Sequence, residues 1–177
     1  KLENAKKIIK LAKTYGADAV KLQTYTPDTM TVRSNKKDFQ IKRGLWKGFT
    51  LWDLYNKAQT PFEWQKELFD YAKKQNILCF STPFDESAVD LLEKINCPFY
   101  KISSFEMNHI PLIKKIAKTG KPIIISTGTS FLHEIDESFK ALKKYGAKNI
   151  TILYCVSNYP SKEEDFNLNN IKILKKR

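Results

Sequence analysis

The stretch Pro98–Gly128, PFYKISSFEMNHIPLIKKIAKTGKPIIISTG, decides the fold. It opens with the short apolar run Pro98–Ile102 and passes through a polar tip, Ser103–Glu106. A helical pattern follows over Ile110–Lys118, Gly120 stands where a helix stops, and a second apolar run, Pro122–Ile125, ends in Ser126-Thr127-Gly128. Runs of four to six apolar residues suit strands buried on both faces, and two of them joined by a helix make a right-handed parallel unit. The same grammar recurs outward in both directions. Apolar runs lie at Ala17–Leu22, Ile77–Phe80 and Ile150–Tyr154, and helical patterns at Leu2–Tyr15, Phe62–Lys74, Asp85–Ile95, Phe131–Tyr145 and Leu168–Lys175. Thr60-Pro61-x-Glu63 reads as a capping box ahead of the second helix, and Gly16 and Gly146 read as further helix stops.

The expected fold is therefore α/β: a partial (β/α)8 TIM barrel of about five parallel strands and six helices. A doubly wound open sheet is the competing architecture, but no GxGxxG or Walker loop follows any strand. A complete barrel needs eight strands and about 250 residues. With 177 residues, and a helix ahead of its first strand, the chain is expected to be a single incomplete barrel domain. Residues 26–60 interrupt the period with Trp46, Phe49, Leu51, Trp52, Leu54 and Tyr55. A substrate cover and a loop folded on its own aromatics are equally compatible with that pattern.

Composition narrows the class. Hydrophobic residues make up 42% and charged residues 28%, as in a globular chain. No run of 18 apolar residues occurs, so no membrane-spanning helix is expected. Cys79, Cys97 and Cys155 lie in or beside apolar runs and read as buried thiols in a reducing cytoplasm rather than a disulfide framework. The net charge of +12 raises nucleic acid as a partner, but the lysines are spread as pairs along helical stretches, in the manner of solvated faces. His109 and His133 read as structural, and no metal site is expected from this chain alone.

The strand tips carry the chemistry. Lys21 and Gln23, Ser81 and Thr82, Lys101 with Ser103, Ser104 and Glu106, Ser126 and Thr127, and Ser157 with Tyr159 follow the five runs in turn. Two lysines at the ends of apolar strands, with hydroxyls on neighbouring tips, imply an anion carrying phosphate or carboxylate groups. Snorkelling or an internal ion pair is the alternative for either lysine. Glu106 is a candidate acid, base or hydroxyl-binding group, or else a helix cap near Asn108.

In series, KLQT, FSTPFD, YKISSFE, PIIISTG and YCVSNYP resemble the N-acetylneuraminate synthase family, and LWDLYNKAQTPFEWQ is most similar to its pseudaminic acid synthase branch. The resemblance implies condensation of phosphoenolpyruvate with an N-acetylated amino sugar to a nine-carbon 2-keto acid, by a carbon–carbon bond-forming synthase. It implies that Lys21, Lys101, Thr82, Ser104 and Ser126 meet phosphoenolpyruvate, with Lys21 and Lys101 converging on one anion. Gln23, Ser157 and Tyr159 would face the sugar, Glu106 would lie beside the reacting centre, and Lys101 and Glu106 are the expected catalytic pair. Ser157 departs from the asparagine usual in the neuraminate branch, which bears on the sugar rather than the chemistry. The resemblance also implies a divalent metal, Mn2+ or Mg2+, in the full-length parent with ligands outside this chain. It further implies a homodimeric parent, a cytoplasmic location, and no membrane or nucleic-acid partner. The family's first strand with its NHxG turn, its last two strands and its C-terminal antifreeze-like domain find no match in this chain, so the chain alone is not expected to catalyse. An aldolase-type barrel and a basic nucleic-acid-binding module remain the other readings.

Overall fold

The computed structural model describes residues 1–176. They form two compact units, one ending at Cys97 and the other beginning at Pro98.

In the first unit, helix α1 (Leu2–Thr14) leads into strand β1 (Ala19–Thr24). Helices α2 (Pro27–Met30), α3 (Leu51–Ala58) and α4 (Phe62–Lys74) precede strand β2 (Leu78–Pro83), and α5 (Glu86–Lys94) follows it. β1 and β2 pair in parallel, with Val20 opposite Cys79, Lys21 opposite Phe80 and Gln23 opposite Thr82. Side chains alternate across a strand, so Val20, Leu22 and Cys79 share one face while Lys21, Gln23, Phe80 and Thr82 share the other. The first face meets Ile9 of α1 and Leu68 and Ala72 of α4 in a buried cluster that also takes in Ile77. Lys6 of α1 pins the two helices by pairing with Glu67 of α4 at 2.6 Å.

The second unit holds β3 (Tyr100–Ile102), α6 (Ile110–Ala117), β4 (Ile123–Ser126), α7 (Leu132–Lys144), β5 (Ile150–Leu153) and α8 (Asn170–Lys175). β4 pairs in parallel with β3 on one side and β5 on the other, placing Lys101, Ile124 and Thr151 in one row. Tyr100, Ile102, Ile123 and Ile125, on the opposite face, are buried, as are Leu112, Ile113 and Ile116 of α6 and Leu142 of α7. The Ser138 hydroxyl of α7 donates to the Met107 carbonyl at 2.6 Å, tying this helix to the turn after β3.

The parallel α/β pattern of five strands holds. Among the described residues there are eight α-helices rather than six, because α2 and α3 form inside the 26–60 segment. Within that segment Trp46 meets Phe49 edge-on at 5.6 Å and Lys57 sits 5.1 Å over Phe49, while Tyr55 meets Tyr25, just ahead of the segment, at 6.0 Å. Its start is fixed where the Trp52 indole donates to Asp28 at 2.8 Å. The expected stops Gly16, Gly120 and Gly146 all adopt positive φ, and Asn76 and Asn96 do the same after α4 and α5. The capping box expected at Thr60 and Glu63 is not formed. α4 begins at Phe62, and its N-cap position is taken by Pro61, which has no side-chain donor or acceptor to offer. A reciprocal box occurs instead at Thr50 and Asp53, ahead of α3. The thiols differ from expectation at Cys155, which is only half-buried, while Cys79 and Cys97 are buried. Burial pushes the Cys79 thiol up to about 12, leaving it protonated and inert. No helix of the described residues is long and apolar enough to cross a membrane.

Candidate functional site

Strand pairing carries polar residues further than their hydropathy suggests. β1 runs on through Gln23 and Thr24, and β2 through Ser81, Thr82 and Pro83. Lys21 consequently lies within the β1–β2 ladder, on the face turned away from α1 and α4. Its side chain is accessible, yet no hydrogen-bond or ion-pair partner reaches it among the described residues. Partial desolvation by its surroundings lowers its pKa below the ordinary lysine value. On the same face, Thr82 is 1% exposed and its hydroxyl finds no partner among the described residues. A buried hydroxyl with no bond is costly, and this one shares its face of the ladder with the Lys21 ammonium. Gln23, the register partner of Thr82, is exposed. Its main chain is held from behind by Gln65 of α4, a buried side chain whose amide donates to the Gln23 and Thr60 carbonyls, both at 3.3 Å.

In the second unit the tips of β3, β4 and β5 are bonded to one another. Ser104 accepts from the Gly128 amide at 3.1 Å, and its carbonyl accepts from the Thr129 hydroxyl at 2.8 Å. Thr127 donates through its hydroxyl to the Leu153 carbonyl at 3.0 Å. Gly128 lies against Cys155 and the Ser157 hydroxyl so closely that an added Cβ would meet the Cys155 carbonyl at 3.0 Å. Ser126 is buried on the same face as Lys101, which is half-buried in β3.

Glu106 closes a single 3-10 turn, Ser104–Glu106, and its carboxylate accepts from the Ser103 hydroxyl. Burial raises its pKa, while the Ser103 bond and the charges of His109 and Lys101 pull it back. The cap reading of Glu106 fails, because the side chain turns to Ser103; it is the main-chain carbonyl that accepts from the His109 amide, at 3.0 Å.

The structure thus gathers Lys21, Gln23 and Thr82 along one ladder and Lys101, Ser104, Glu106, Ser126 and Ser157 around the tips of another. Tyr159 is not drawn in: it is 90% exposed in the loop after β5. His133 stacks on Phe131 at 5.9 Å, away from any cluster of ligands. Among the described residues no three His, Cys, Asp or Glu side chains gather as a metal site. Sequence reading missed Gln65, which carries no signal beyond its helix, and undervalued Ser103, whose three-residue spacing to Glu106 is the spacing of a capping pair.

The profile of the NeuB family matches residues 8–177. The chain belongs to the NeuB family. It is 47% identical over 167 residues to the pseudaminic acid synthase of Helicobacter pylori, covering 94% of this chain and 49% of that protein. It is 44% identical over 176 residues to the pseudaminic acid synthase of Campylobacter jejuni serotype O:2, covering 99% of this chain and 51% of that one. The chain therefore spans about half the length of the curated relatives it matches. Among solved structures it superposes on the N-acetylneuraminic acid synthetase of Leptospira borgpetersenii with a TM-score of 0.85 and 30% identity, over 99% of this chain and 56% of that one. The likeness, with the five parallel strands, bears out the TIM-barrel-like α/β class read from the sequence.

Proposed function

We propose that the full-length protein condenses phosphoenolpyruvate with an N-acetylated amino sugar to a nine-carbon 2-keto acid, in the manner of a pseudaminic acid synthase. The observation that carries this reading is the pair of unengaged donors on the β1–β2 ladder, the Lys21 ammonium and the Thr82 hydroxyl. An anion bearing phosphate and carboxylate oxygens would satisfy both. In this reading Lys101, Ser104 and Ser126 meet the same substrate, and Gln23, Ser157 and Tyr159 meet the sugar.

C3 of phosphoenolpyruvate attacks the aldehyde carbon of the open-chain sugar, and the new carbon–carbon bond forms at the expense of the enol double bond. Water adds at C2, and the C2–O bond to phosphate then breaks, leaving the ketone. The lysines hold the carboxylate and phosphate charges of phosphoenolpyruvate in attack geometry, and Glu106 gives a proton to the sugar oxygen beside the reacting centre. We further propose a divalent metal, Mn2+ or Mg2+, with ligands outside this chain, in a homodimeric cytoplasmic parent.

The test is incubation of the full-length protein with phosphoenolpyruvate and amino sugars of both branches. A nine-carbon keto acid detected by mass spectrometry, with equimolar phosphate, supports the reading; no product with any N-acetylated amino sugar defeats it. One observation favours a second reading. Lys21 is a lysine of lowered pKa without a carboxylate partner, as a Schiff-base aldolase requires. Borohydride trapping of pyruvate on Lys21 would establish that chemistry instead.

A further inference from the structure

We propose that Ser103 is a positioning residue for Glu106: its hydroxyl holds the carboxylate by Oε2 and so fixes the orientation in which the carboxyl meets the sugar. The inference rests on the synthase reading for the role of Glu106, but the contact stands on its own geometry. Ser103 occupies the N-cap position of the Ser104–Glu106 turn, yet its side chain makes no bond to the turn's main chain. The hydroxyl goes to the Glu106 carboxylate instead. The main chain holds the two residues in place, with the Glu106 amide donating to the Ser103 carbonyl at 3.2 Å and the His109 amide donating to the Glu106 carbonyl at 3.0 Å. The adjacent serines divide the work. Ser104 anchors the β4 loop through Gly128, and Ser103 orients the acid.

The charged and titratable groups facing Glu106 are Lys101 from β3 and His109 from the N-cap of α6. Both favour the carboxylate, as does the Ser103 bond, against a burial that favours the acid. A half-buried carboxyl with one oxygen already bonded has fewer orientations available, and a fixed proton-transfer partner depends on that.

The experiment uses the full-length protein with Ser103→Ala and Ser103→Thr. Two quantities are read: the pH dependence of kcat for phosphate release, and the titration of the Glu106 carboxyl by 13C NMR, assigned with Glu106→Gln. For Ser103→Ala the limb of the kcat profile set by Glu106 and the carboxyl titration both move to higher pH. kcat at neutral pH falls about tenfold, with KM for phosphoenolpyruvate unchanged. Ser103→Thr, which keeps the hydroxyl, restores both. If Ser103→Ala leaves the limb and the titration where they were, the proposal is overturned, and the same holds if kcat falls without either moving. If the parent forms no keto acid, the synthase reading falls alone; the carboxyl titration then decides whether Ser103 holds Glu106.

Discussion

The strand ends of the two units differ in what they leave unfinished. Along β1 and β2, Lys21 and the buried hydroxyl of Thr82 have no bonding partner among the described residues. At the tips of β3, β4 and β5, Ser104, Thr127, Thr129 and Glu106 are bonded to neighbours within the same unit. Folding usually satisfies buried polar groups. Under the proposed function the first region reads as donors kept for a ligand, and the second as a bonded frame that includes Glu106. Stability and function should separate in the first region, and fall together where Gly128 locks the tips of the second.

The largest expected effect is at Lys101. Under the proposed function, Lys101→Ala should lower turnover of the full-length protein about 100-fold or more, through loss of a charge-assisted contact to phosphoenolpyruvate. Lys114→Ala, at an exposed helical lysine lying 5.3 Å over the Tyr145 ring, should stay within about twofold. Equal losses in steady-state kinetics would remove Lys101 from the site. Next is the frame. Gly128→Ala would press a Cβ into the Cys155 carbonyl and the Ser157 hydroxyl and should cost about 1–3 kcal/mol, seen as a lower urea midpoint. An unchanged midpoint would mean that the tips are not locked.

Thr82→Val sharpens the contrast. It removes a hydroxyl that has no bond in the fold, so the melting temperature should hold or rise while phosphoenolpyruvate binds about tenfold more weakly by calorimetry. A fall in both would assign Thr82 to the frame. The smallest effect is electrostatic. The Glu106 pKa is raised above its ordinary 4.5, so its ionisation costs stability as pH rises from that value through the folded one. Glu106→Gln should therefore melt with the parent at lower pH and slightly above it at neutral pH. A lower melting temperature at neutral pH would contradict the raised pKa.

The elements were legible because apolar runs and Gly stops report directly on burial and on positive φ. Their ends were less so. The strand expected over Ala17–Leu22 forms at Ala19–Thr24, because a backbone ladder accepts Gln23 and Thr24 whatever their polarity. Asn76 and Asn96 end helices by the same φ as glycine but look in sequence like surface residues. The candidate site was legible as residue types at strand tips. Which of them are bonded and which are left open was not, since that depends on contacts such as Ser104 with Gly128, made across 24 residues of chain.

The most direct test of donors kept for a ligand is the thermal shift of the full-length protein with phosphoenolpyruvate, compared with Lys21→Met. At 100 times Kd the ligand should stabilise the parent by about 2.7 kcal/mol, several degrees of melting temperature. Lys21→Met should melt at or above the unliganded parent, because it removes a desolvated charge, and should lose the ligand-induced shift. A Lys21→Met protein that melts lower without ligand and keeps the full shift with it would show that Lys21 serves the fold and not an anion.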